Sequence, residues 1–564
     1  MRRNLCGFLT LGLAWMAWAQ AESVEGPPQA LASEVPVDVV VRGGQGFPDN
    51  LKASDFTILD NDESLTPDSA RIMDWIPADG ELRPHSGAAN AAKSPDALSN
   101  TLDYRGEAPT QVTVLLWDLL NTSFDSQEAA RKQVFDLYSE AGSLPPFGLY
   151  SLVKSAEILT DFNGDPREVY EAIAEISSPP VTVEVGAPSL EALPPPVANP
   201  ARMKRTAERI RELANFNEAL LPEVDFYSVR DRGLLALETL RNIAEHVRGI
   251  DGRKNIVWLA DTFPEIPLEA PEGTAPRIDS LNVPLQLQLT LESLNEANVA
   301  VYPVWLGEAA GTVTMDLFAE RTGGRVIQNV TDLRETMTEI RNETGRTYRL
   351  AFTPKTLGVK ADPEQHRSAG YHDLTVEFER PGFFTLLSRR GYSESSLRVP
   401  DEEQQGFLLN GVTRRPFGST ELTVVAKMEP YNSDQQEAFK LTLTIDPGEL
   451  EFKLKDGLWR AHIIFATQAG LSVPPRGTME QIEIKLDEER LREVRTRGLA
   501  MQRVLVTEGL EGGVQVLVQD EGTGKIGSLR IPLEHRDAFS QADEQEEISF
   551  EGIPSPLDGL TLPQ

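Results

Sequence analysis

The feature that most limits how this chain can fold is a continuous apolar run, Val112–Trp117, which ends at Asp118. An apolar run of this length without polar alternation predicts a strand that is buried on both faces. A helix-like stretch follows at 126–141, and strand-like and helix-like segments then alternate as far as residue 343. Buried strands that alternate with helices predict an α/β fold with a doubly wound, Rossmann-like domain over 108–350.

The remaining segments of this domain repeat the alternation. Predicted strands lie at 147–153, 255–260, 299–305 and 325–328, and predicted helices at 166–176, 285–298, 315–321 and 331–343. A proline-rich stretch, 178–200, precedes a charged helical stretch and is unsuited to a sheet interior. We interpret 178–230 as an insertion at the loop-bearing edge of the domain, either a lid that faces a partner or a solvated excursion.

On the N-terminal side, strand-like runs at 35–41 and 55–61 predict a small β unit over 30–80. The stretch 81–107 is rich in small and polar residues without periodicity, which is typical of a linker.

On the C-terminal side the chain is again β-like. Alternating runs after residue 348 predict that 351–395 extends the sheet of the α/β domain. Further short strands predict a β-sandwich of immunoglobulin-like type over 400–545, followed by an acidic tail over 546–564.

The N-terminus has the order of a secretory signal. Two arginines follow Met1, an apolar run comes next, and small residues around Ala19 and Ala21 resemble a cleavage site. Residues 1–21 are therefore predicted to be a signal peptide, with an uncleaved anchor as the alternative. We expect an exported protein that is periplasmic, on the cell surface or secreted, with no membrane span once the signal is removed.

Composition excludes several classes of function. The net charge of −33 disfavours binding to nucleic acid, because the approach would begin with repulsion. Cys6 is the one cysteine of the sequence, so thiol catalysis and cysteine-based metal sites have no residues to use. The six histidines form no HExxH motif, so a metal would depend on oxygen ligands.

Polar residues follow two of the predicted strands where these strands end. Asp118, Asn121 and Thr122 follow the first strand, and Asp261 and Thr262 follow the strand at 255–260. Ligands of doubly wound sheets collect at the carboxyl ends of the strands, so these five residues are predicted to line a ligand-binding crevice. Carboxylate and hydroxyl oxygens suit Mg²⁺ or Mn²⁺, and a crevice without a cofactor is the alternative.

Several segments of the chain resemble the von Willebrand factor type A domain. The resemblance rests on Asp118–Thr122, Asp251–Trp258, Ala297–Val304 and Thr322–Gly324, preceded by Asp55–Asp62 and followed by Tyr371–Phe378. It covers about 35–395 and is similar in particular to the exported bacterial "VWFA-related" proteins of acidobacterial type.

The resemblance implies a metal-ion-dependent adhesion site, in which a D-x-S-x-S loop, a separate threonine and a further aspartate hold a cation. Asp118 and Thr122 match the first and last positions of the loop, and Asp261 matches the further aspartate. Leu120 occupies the middle serine position and supplies no oxygen. The resemblance therefore predicts a degenerate site, with Asp118, Thr122 and Asp261 as the remaining metal ligands.

The missing threonine should fall within 228–234, where Ser228, Arg230, Asp231 and Arg232 occur instead. A guanidinium in that place is able to replace the cation.

These observations favour an exported, non-enzymatic, adhesion-type scaffold that binds another protein. One alternative is a structural or assembly component of the cell envelope. A hydrolase is the other, although Ser151 lacks the flanking glycines of a G-x-S-x-G elbow and the spacing of Asp261 and Glu265 has no distinguishing feature.

Overall fold

The computed structural model describes most of residues 34–532. The described ranges are 34–74 without 45 and 49, 97–100, 111–139 without 123, 147–162 without 154 and 161, 231–266 without 251, 262 and 265, 283–306, 313–360, 369–394, 417–469 without 434 and 435, 476–506, and 513–532. The predicted signal peptide 1–21, insertion 178–230 and tail 546–564 lie outside these ranges, as do the predicted helix at 166–176 and the charged stretch that follows 200. Within them, no helix has the length and apolar character needed to cross a membrane.

The first described strands carry apolar residues on alternate positions. They are β1 (Val35–Gly43), β2 (Phe56–Asp60), β3 (Glu63–Leu65) and β4 (Ser69–Asp74), followed by the short strand β5 (Ala97–Ser99). The valines at 35, 37, 39 and 41 of β1 point into one apolar core together with Phe56 and Ile58 of β2.

The α/β domain contains one sheet and helices that pack on it. Its strands are β6 (Val112–Asp118), β7 (Gly148–Leu152), β8 (Ala156–Thr160), β9 (Lys254–Leu259), β10 (Val299–Leu306) and β11 (Ile327–Val330). Its helices are α1 (Phe124–Ser139), α2 (231–247), α3 (Val283–Glu296), α4 (Val313–Thr322) and α5 (Leu333–Thr344). The strand order is β11-β10-β9-β6-β7-β8, and all pairs are parallel except β7 with β8.

Both faces of this sheet are covered. Leu116 and Trp258 belong to a core that is closed by α2, α3 and α4, whereas Leu115 and Trp117 belong to a core that is closed by α1 and α5. Strands buried on both faces explain the unbroken apolar runs in the sequence. The predicted α/β architecture is confirmed in this part of the chain.

The strands after the α/β domain do not extend its sheet, so the prediction for 351–395 was wrong. They are β12 (Arg346–Phe352), β13 (Tyr371–Phe378), β14 (Phe384–Leu387) and β15 (Gly391–Ser393). They join the N-terminal strands in two sheets, β14-β1-β12-β4 and β15-β13-β2-β3, which share one core. We call this unit the first sandwich.

The physical reason is that the α/β domain is inserted into the first sandwich. β12 pairs antiparallel with β4, so that Arg346 lies opposite Asp74 and the chain returns beside the strand from which it left. The N-terminal β unit predicted over 30–80 is thus one half of a sandwich, because its apolar faces need the later strands to cover them.

The C-terminal strands form a second pair of antiparallel sheets. Their elements are β16 (Val424–Ser433), β17 (Gln436–Ile445), β18 (Lys453–Lys455), β19 (Leu458–Ala469), β20 (Arg476–Leu486), α6 (Glu488–Arg497), β21 (Leu499–Val506), β22 (Gly513–Asp520) and β23 (Ile526–Pro532). One sheet has the order β21-β17-β16-β5; the other is β18-β19-β22-β23, with β20 also paired to β19. A shared apolar core lies between them, and an immunoglobulin-like type stays a prediction.

The stretch predicted as a linker over 81–107 contributes to this second sandwich. β5 pairs antiparallel with β16, and the side-chain amide of Asn100 bonds the main chain of Val424 and Leu422. The linker prediction was therefore wrong for Ala97–Ser99, which is too short to give a periodic signal.

The second sandwich is joined to the α/β domain by residues 417–422. Phe417 is buried in the α/β core, with its ring 5.4 Å from that of Tyr150, and His246 Nδ1 lies 2.6 Å from the carbonyl of Gly418. A Cβ on Gly249 would lie 2.2 Å from the carbonyl oxygen of Thr420, so the backbones approach more closely than a side chain allows. The α/β domain therefore packs directly against the segment that leads into the second sandwich.

Candidate functional site

The sheet order places the candidate site between β6 and β9. The chain proceeds from β6 to β7 on one side and from β9 to β10 on the other, which makes the carboxyl ends of β6 and β9 the switch point of the sheet. Asp118 ends β6 and Asp261 comes shortly after β9. The backbone N–H of Asp261 donates to the carbonyl of Asn121 at 2.9 Å, so the two aspartates share this edge.

Asp118 is fully buried, and its carboxylate is held by N–H groups of the protein. Oδ1 accepts from the backbone N–H of Asn121 at 3.1 Å, and Oδ2 accepts from Asn121 Nδ2 at 2.8 Å and from Trp258 Nε1 at 3.0 Å. Burial raises the pKa of Asp118 to about 6, and the hydrogen bonds from Asn121 and Trp258 oppose that rise. Among the described residues, the hydrogen-bond donors to this carboxylate are neutral.

Thr122 is turned toward the main chain. Its hydroxyl donates to the carbonyl of Asp118 at 2.6 Å, and Gln127 Nε2 donates to the carbonyls of Leu119 and Thr122 at 3.3 and 3.1 Å. A short 3-10 turn, Leu119–Asn121, follows β6 and is tied down by these bonds.

The predicted crevice residues lie together but are not open to solvent. Asp118 and Asn121 are each 0% exposed, Thr122 is 2% exposed and Asp261 is 7% exposed, while Thr262 lies outside the described residues. The four described residues are thus buried at the switch point, where Asp118 and Thr122 bond to their neighbours.

Arg232 lies on α2 and reaches the same turn. Its Nη1 donates to the carbonyl of Leu120 at 3.0 Å, and its Nε is buried without an acceptor. The Leu120 side chain packs against the apolar core. The residue that occupies the middle position of the D-x-S-x-S pattern thus contributes packing through its side chain and a guanidinium contact through its carbonyl.

The donor set around Asp118 does not fit Mg²⁺ or Mn²⁺. These cations require carboxylate, hydroxyl or carbonyl oxygens that face a common point. The Asp118 oxygens face N–H donors instead, and the proton of the Thr122 hydroxyl is directed at the main chain. Across the described ranges, no group of three or more His, Cys, Asp or Glu side chains is arranged to hold a metal.

Sequence reasoning missed the part that Trp258 plays at this site, because a tryptophan inside an apolar strand is typical of core. The strand register explains the contact. Leu116 pairs with Trp258, and Asp118 lies two residues after Leu116 on the same face of the sheet, so the indole reaches its carboxylate. The indole also packs edge-on against Phe263 and Phe318, at ring distances of 4.7 and 5.6 Å.

A second group of buried titratable side chains lies in the first sandwich. His372 is 0% exposed; its Nδ1 lies 2.6 Å from Asp60 Oδ1 and its Nε2 3.2 Å from Glu394 Oε1. The Tyr392 hydroxyl donates to Asp60 Oδ2 at 2.9 Å. Burial acts to lower the pKa of His372, but the hydrogen bonds and charges of Asp60 and Glu394 outweigh it and raise that pKa. We call these four residues the histidine cluster.

The histidine cluster also fixes a loop. Glu394 Oε1 accepts the backbone N–H groups of Gly358 and Val359 at 2.8 and 2.9 Å. Both ring nitrogens of His372 face carboxylates and neither opens to solvent, so the arrangement holds the fold together.

Comparison with known proteins gives low similarities. No family model matches the chain, and no curated protein matches it. Among solved structures, it is similar to BatB from Bacteroides thetaiotaomicron (14% identity, 42% of this chain and 97% of that chain, TM-score 0.21) and to the von Willebrand factor type A protein from Catenulispora acidiphila (10%, 68% and 81%, 0.23).

A third structure is proximal thread matrix protein 1 from the mussel byssus, with a zinc-occupied MIDAS motif (9% identity, 46% of this chain and 50% of that chain, TM-score 0.23). The chain thus spans about half the length of the mussel protein. These structure neighbours include von Willebrand factor type A proteins, at identities and TM-scores too low to assign a family or a ligand to this chain.

Proposed function

We propose that this chain is an exported, non-enzymatic, adhesion-type scaffold whose α/β domain binds another protein at the carboxyl edge of its sheet. The observation that carries the proposal is the state of Asp118. At the switch point, where doubly wound domains hold their ligands, the one carboxylate that ends a strand is buried and held by three N–H groups. Such a carboxylate is occupied by the fold, which supports a binding platform over a catalytic acid or base at this position.

The same geometry supports a degenerate metal-ion-dependent adhesion site. Leu120 adds apolar contact in place of an oxygen ligand, and the Arg232 guanidinium brings positive charge to the turn that would face a cation. We propose that the domain presents its edge to a partner without Mg²⁺ or Mn²⁺.

Ser151, the hydroxyl considered for a hydrolase, gives little support to that alternative. It is 1% exposed in β7 and its Oγ has no hydrogen-bond partner, whereas a catalytic serine needs a base within reach.

A structural or assembly role in the envelope is favoured by a different observation. Arg389 donates to the carbonyl of Asn295 in α3 at 2.9 Å and to that of Pro36 in β1 at 2.7 Å, which ties the α/β domain to the first sandwich. Together with the buried Phe417, this contact indicates a stiff multi-domain body of the kind that suits a spacer.

The two roles are distinguished by surface variants of the full mature chain. Val313, at the first turn of α4, is 71% exposed, and Leu235 on α2 is 36% exposed. The hydroxyl of neighbouring Thr314 accepts from the N–H of Ile266, beyond the end of β9, which places the start of α4 at the carboxyl edge. Phe383, in the first sandwich, is 100% exposed and serves as the matched control.

The immobilised chain is exposed to envelope extract of the native organism, with and without EDTA, and bound proteins are identified by mass spectrometry. An adhesion module loses its partner with Val313→Asp or Leu235→Asp, but retains it with Phe383→Asp and in EDTA. Capture that ignores both edge variants would move the function to the β domains and favour the structural role.

A further inference from the structure

The two sides of the second sandwich are closed to different degrees. On one side, residues 417–422 lie along β23: the backbone N–H of Ser528 donates to the carbonyl of Ser419 at 2.9 Å, and that of Leu422 donates to the carbonyl of Ile526 at 3.2 Å. On the other side lie β20 and β21. Among the residues that the structure describes, β20 pairs with β19 alone and β21 with β17 alone. These two strands therefore present backbone N–H and C=O groups that no neighbouring described strand covers.

The apolar core of this sandwich is also incompletely covered beside the same two strands. Most of the side chains that pack against this core while staying partly exposed lie on β20 and β21: Ile482, Ile484, Leu499, Met501 and Leu505. A polar contact crosses the opening between the strands, because Arg503 Nη2 lies 2.7 Å from Glu480 Oε2. A strand added at this side would thus pair free backbone groups and bury apolar surface at the same time.

The direction of the chain determines how such a strand would run. β20 ends at Leu486 and β21 begins at Leu499, with α6 between them, so both of these strand ends lie at the α6 end of the sandwich. Pro532, the last residue of β23, lies at the opposite end, in register through β22 and β19 with Arg476 at the start of β20. β21 runs toward that opposite end. A chain that continues from Pro532 and crosses the sheet therefore meets β21 in the antiparallel direction.

The sequence that follows β23 contains a segment that suits this edge. Polar and apolar residues alternate strictly over Glu547–Glu551, with Ile548 and Phe550 on one face, which is the pattern of a half-buried strand. This segment lies outside the described residues. An extended stretch over 533–547 reaches up to about 50 Å, whereas the distance from β23 across the sheet to its far side is about 20 Å. The connection is therefore long enough.

We infer that residues 547–551 bind along the free edge of β21 as an added antiparallel strand of the same chain. Ile548 and Phe550 then face the core and cover the apolar side chains that β20 and β21 leave partly exposed. The chain's own segment is favoured over a second copy, because its tether keeps it near the edge at an effective concentration on the order of millimolar. The inference concerns the second sandwich and does not depend on the proposed function.

Hydrogen exchange of the full mature chain, followed by mass spectrometry, tests the inference at the backbone of β21. Phe550→Asp places a charge against the apolar core and should release the segment, so that the edge N–H groups of β21 exchange about ten-fold faster or more. Leu560→Asp is the matched control. It changes the net charge equally, further along the chain, and should leave the exchange of β21 as in the wild-type chain. Equal exchange of β21 in the wild-type and Phe550→Asp chains overturns the inference.

A fluorescent peptide with the sequence of residues 545–553 supplies a second measurement, by anisotropy. It should bind the full Phe550→Asp chain, in which the edge of β21 is free. It should bind the wild-type chain at least about ten-fold more weakly, because the tethered segment competes for the same edge. The peptide that itself carries Phe550→Asp should bind neither chain. Equal binding of the unaltered peptide to both chains, or binding to neither, contradicts the inference.

Light scattering over a range of protein concentrations separates the chain's own segment from that of a second copy. Docking within one chain predicts that Phe550→Asp leaves the measured mass unchanged. A dimer that Phe550→Asp dissociates and Leu560→Asp leaves intact would place the segment on a second copy and overturn docking within the chain.

Discussion

The α/β domain and the first sandwich both bury carboxylates, and they stabilise them in opposite ways. Asp118 at the switch point is surrounded by neutral donors, the amide of Asn121 and the indole of Trp258. In the histidine cluster, Asp60 and Glu394 share one imidazole between them. Burial raises the pKa of Asp118 to about 6, against the lowering effect of its neutral donors; in the sandwich, the carboxylates raise the pKa of the histidine.

The difference teaches what a change of charge does in each region. The Asp118 carboxylate gains a proton at mildly acidic pH, so the charge at the switch point changes with pH. In the histidine cluster, loss of one member leaves the other charged side chains buried without compensation. We therefore expect removal of one member to abolish the stabilising contribution of the whole cluster. Asp118 lies at the carboxyl edge of the α/β sheet, and the histidine cluster lies in the sandwich into which that domain is inserted.

The strongest test of this contrast is His372→Leu. It leaves Asp60 and Glu394 buried without the imidazole, and we expect a loss of about 3–5 kcal/mol in the free energy of unfolding. Urea unfolding followed by circular dichroism measures it. The control is His462→Leu, since His462 is 55% exposed and lies 3.9 Å from Glu483. A loss below about 1 kcal/mol would show that the cluster works without the charge of the histidine.

The second test uses pH. The folded-state pKa of Asp118 is raised to about 6 from 3.8, so the folded protein holds a proton that the unfolded chain has released in this window. Stability contributed at Asp118 is therefore present below about pH 4 and falls by about 3 kcal/mol as pH rises through 6. His372 has a raised pKa as well, so its contribution is present below 6.5 and is lost at higher pH.

Other buried groups also titrate in this range; Glu449 has its pKa raised to about 7 and His246 has its pKa lowered to about 4, each by burial. The measurement is therefore the difference in unfolding free energy between the wild-type chain and Asp118→Asn at several pH values. We expect this difference to vary between pH 4 and 7. Asp332→Asn, at the exposed cap of α5, is measured in parallel as the control for an exposed carboxylate. A flat difference for Asp118→Asn would contradict a buried, uncompensated carboxylate.

A smaller effect separates the donors of Asp118 from ordinary surface donors. Trp258→Phe keeps the aromatic contacts with Phe263 and Phe318 but removes one hydrogen bond to a buried carboxylate, which should cost about 2 kcal/mol. Trp459→Phe removes an indole hydrogen bond of similar length, 2.8 Å to Glu488, at an exposed position. That control should cost less than about 1 kcal/mol, and equal losses in urea unfolding would argue against the importance of burial.

How much of this could be read from the sequence depends on whether the signal is local. The buried strand Val112–Trp117 and the strand at 255–260 are continuous apolar runs, and their alternation with helices was enough to bring Asp118 and Asp261 to one edge. The pairing of β12 with β1 and β4 was not predictable in this way. Strand partners far apart in sequence leave no local mark, and Val37 meets Leu350 across the whole inserted domain.

The candidate site shows the same division between local signals and contacts that depend on distant residues. Asp118 and Thr122 stand out by type and position, but the donor role of Trp258 depends on register between two strands. α6 went unpredicted because it is almost wholly exposed, with Leu491 as its one buried residue, and so carries no apolar stripe. The contact of Arg232 with the Leu120 carbonyl uses a backbone acceptor, which no residue type reveals.

The smallest expected effect is the response to divalent cations. It tests whether the neutral donors of Asp118 and the guanidinium of Arg232 stand in place of a cation at the switch point. If neutral donors and Arg232 replace a cation, Mg²⁺ or Mn²⁺ at about 10 mM should stabilise the chain by less than about 0.4 kcal/mol, the value for a ligand at its own dissociation constant. Leu120→Ser alone should not change this, because the guanidinium still occupies the turn. Leu120→Ser combined with Arg232→Ala removes that charge and adds an oxygen, so it should bind more tightly than either single variant in thermal shift assays. Stabilisation of the wild-type chain by about 2.7 kcal/mol, as for a ligand at a hundred times its dissociation constant, would mean that the donors around Asp118 give way to a metal.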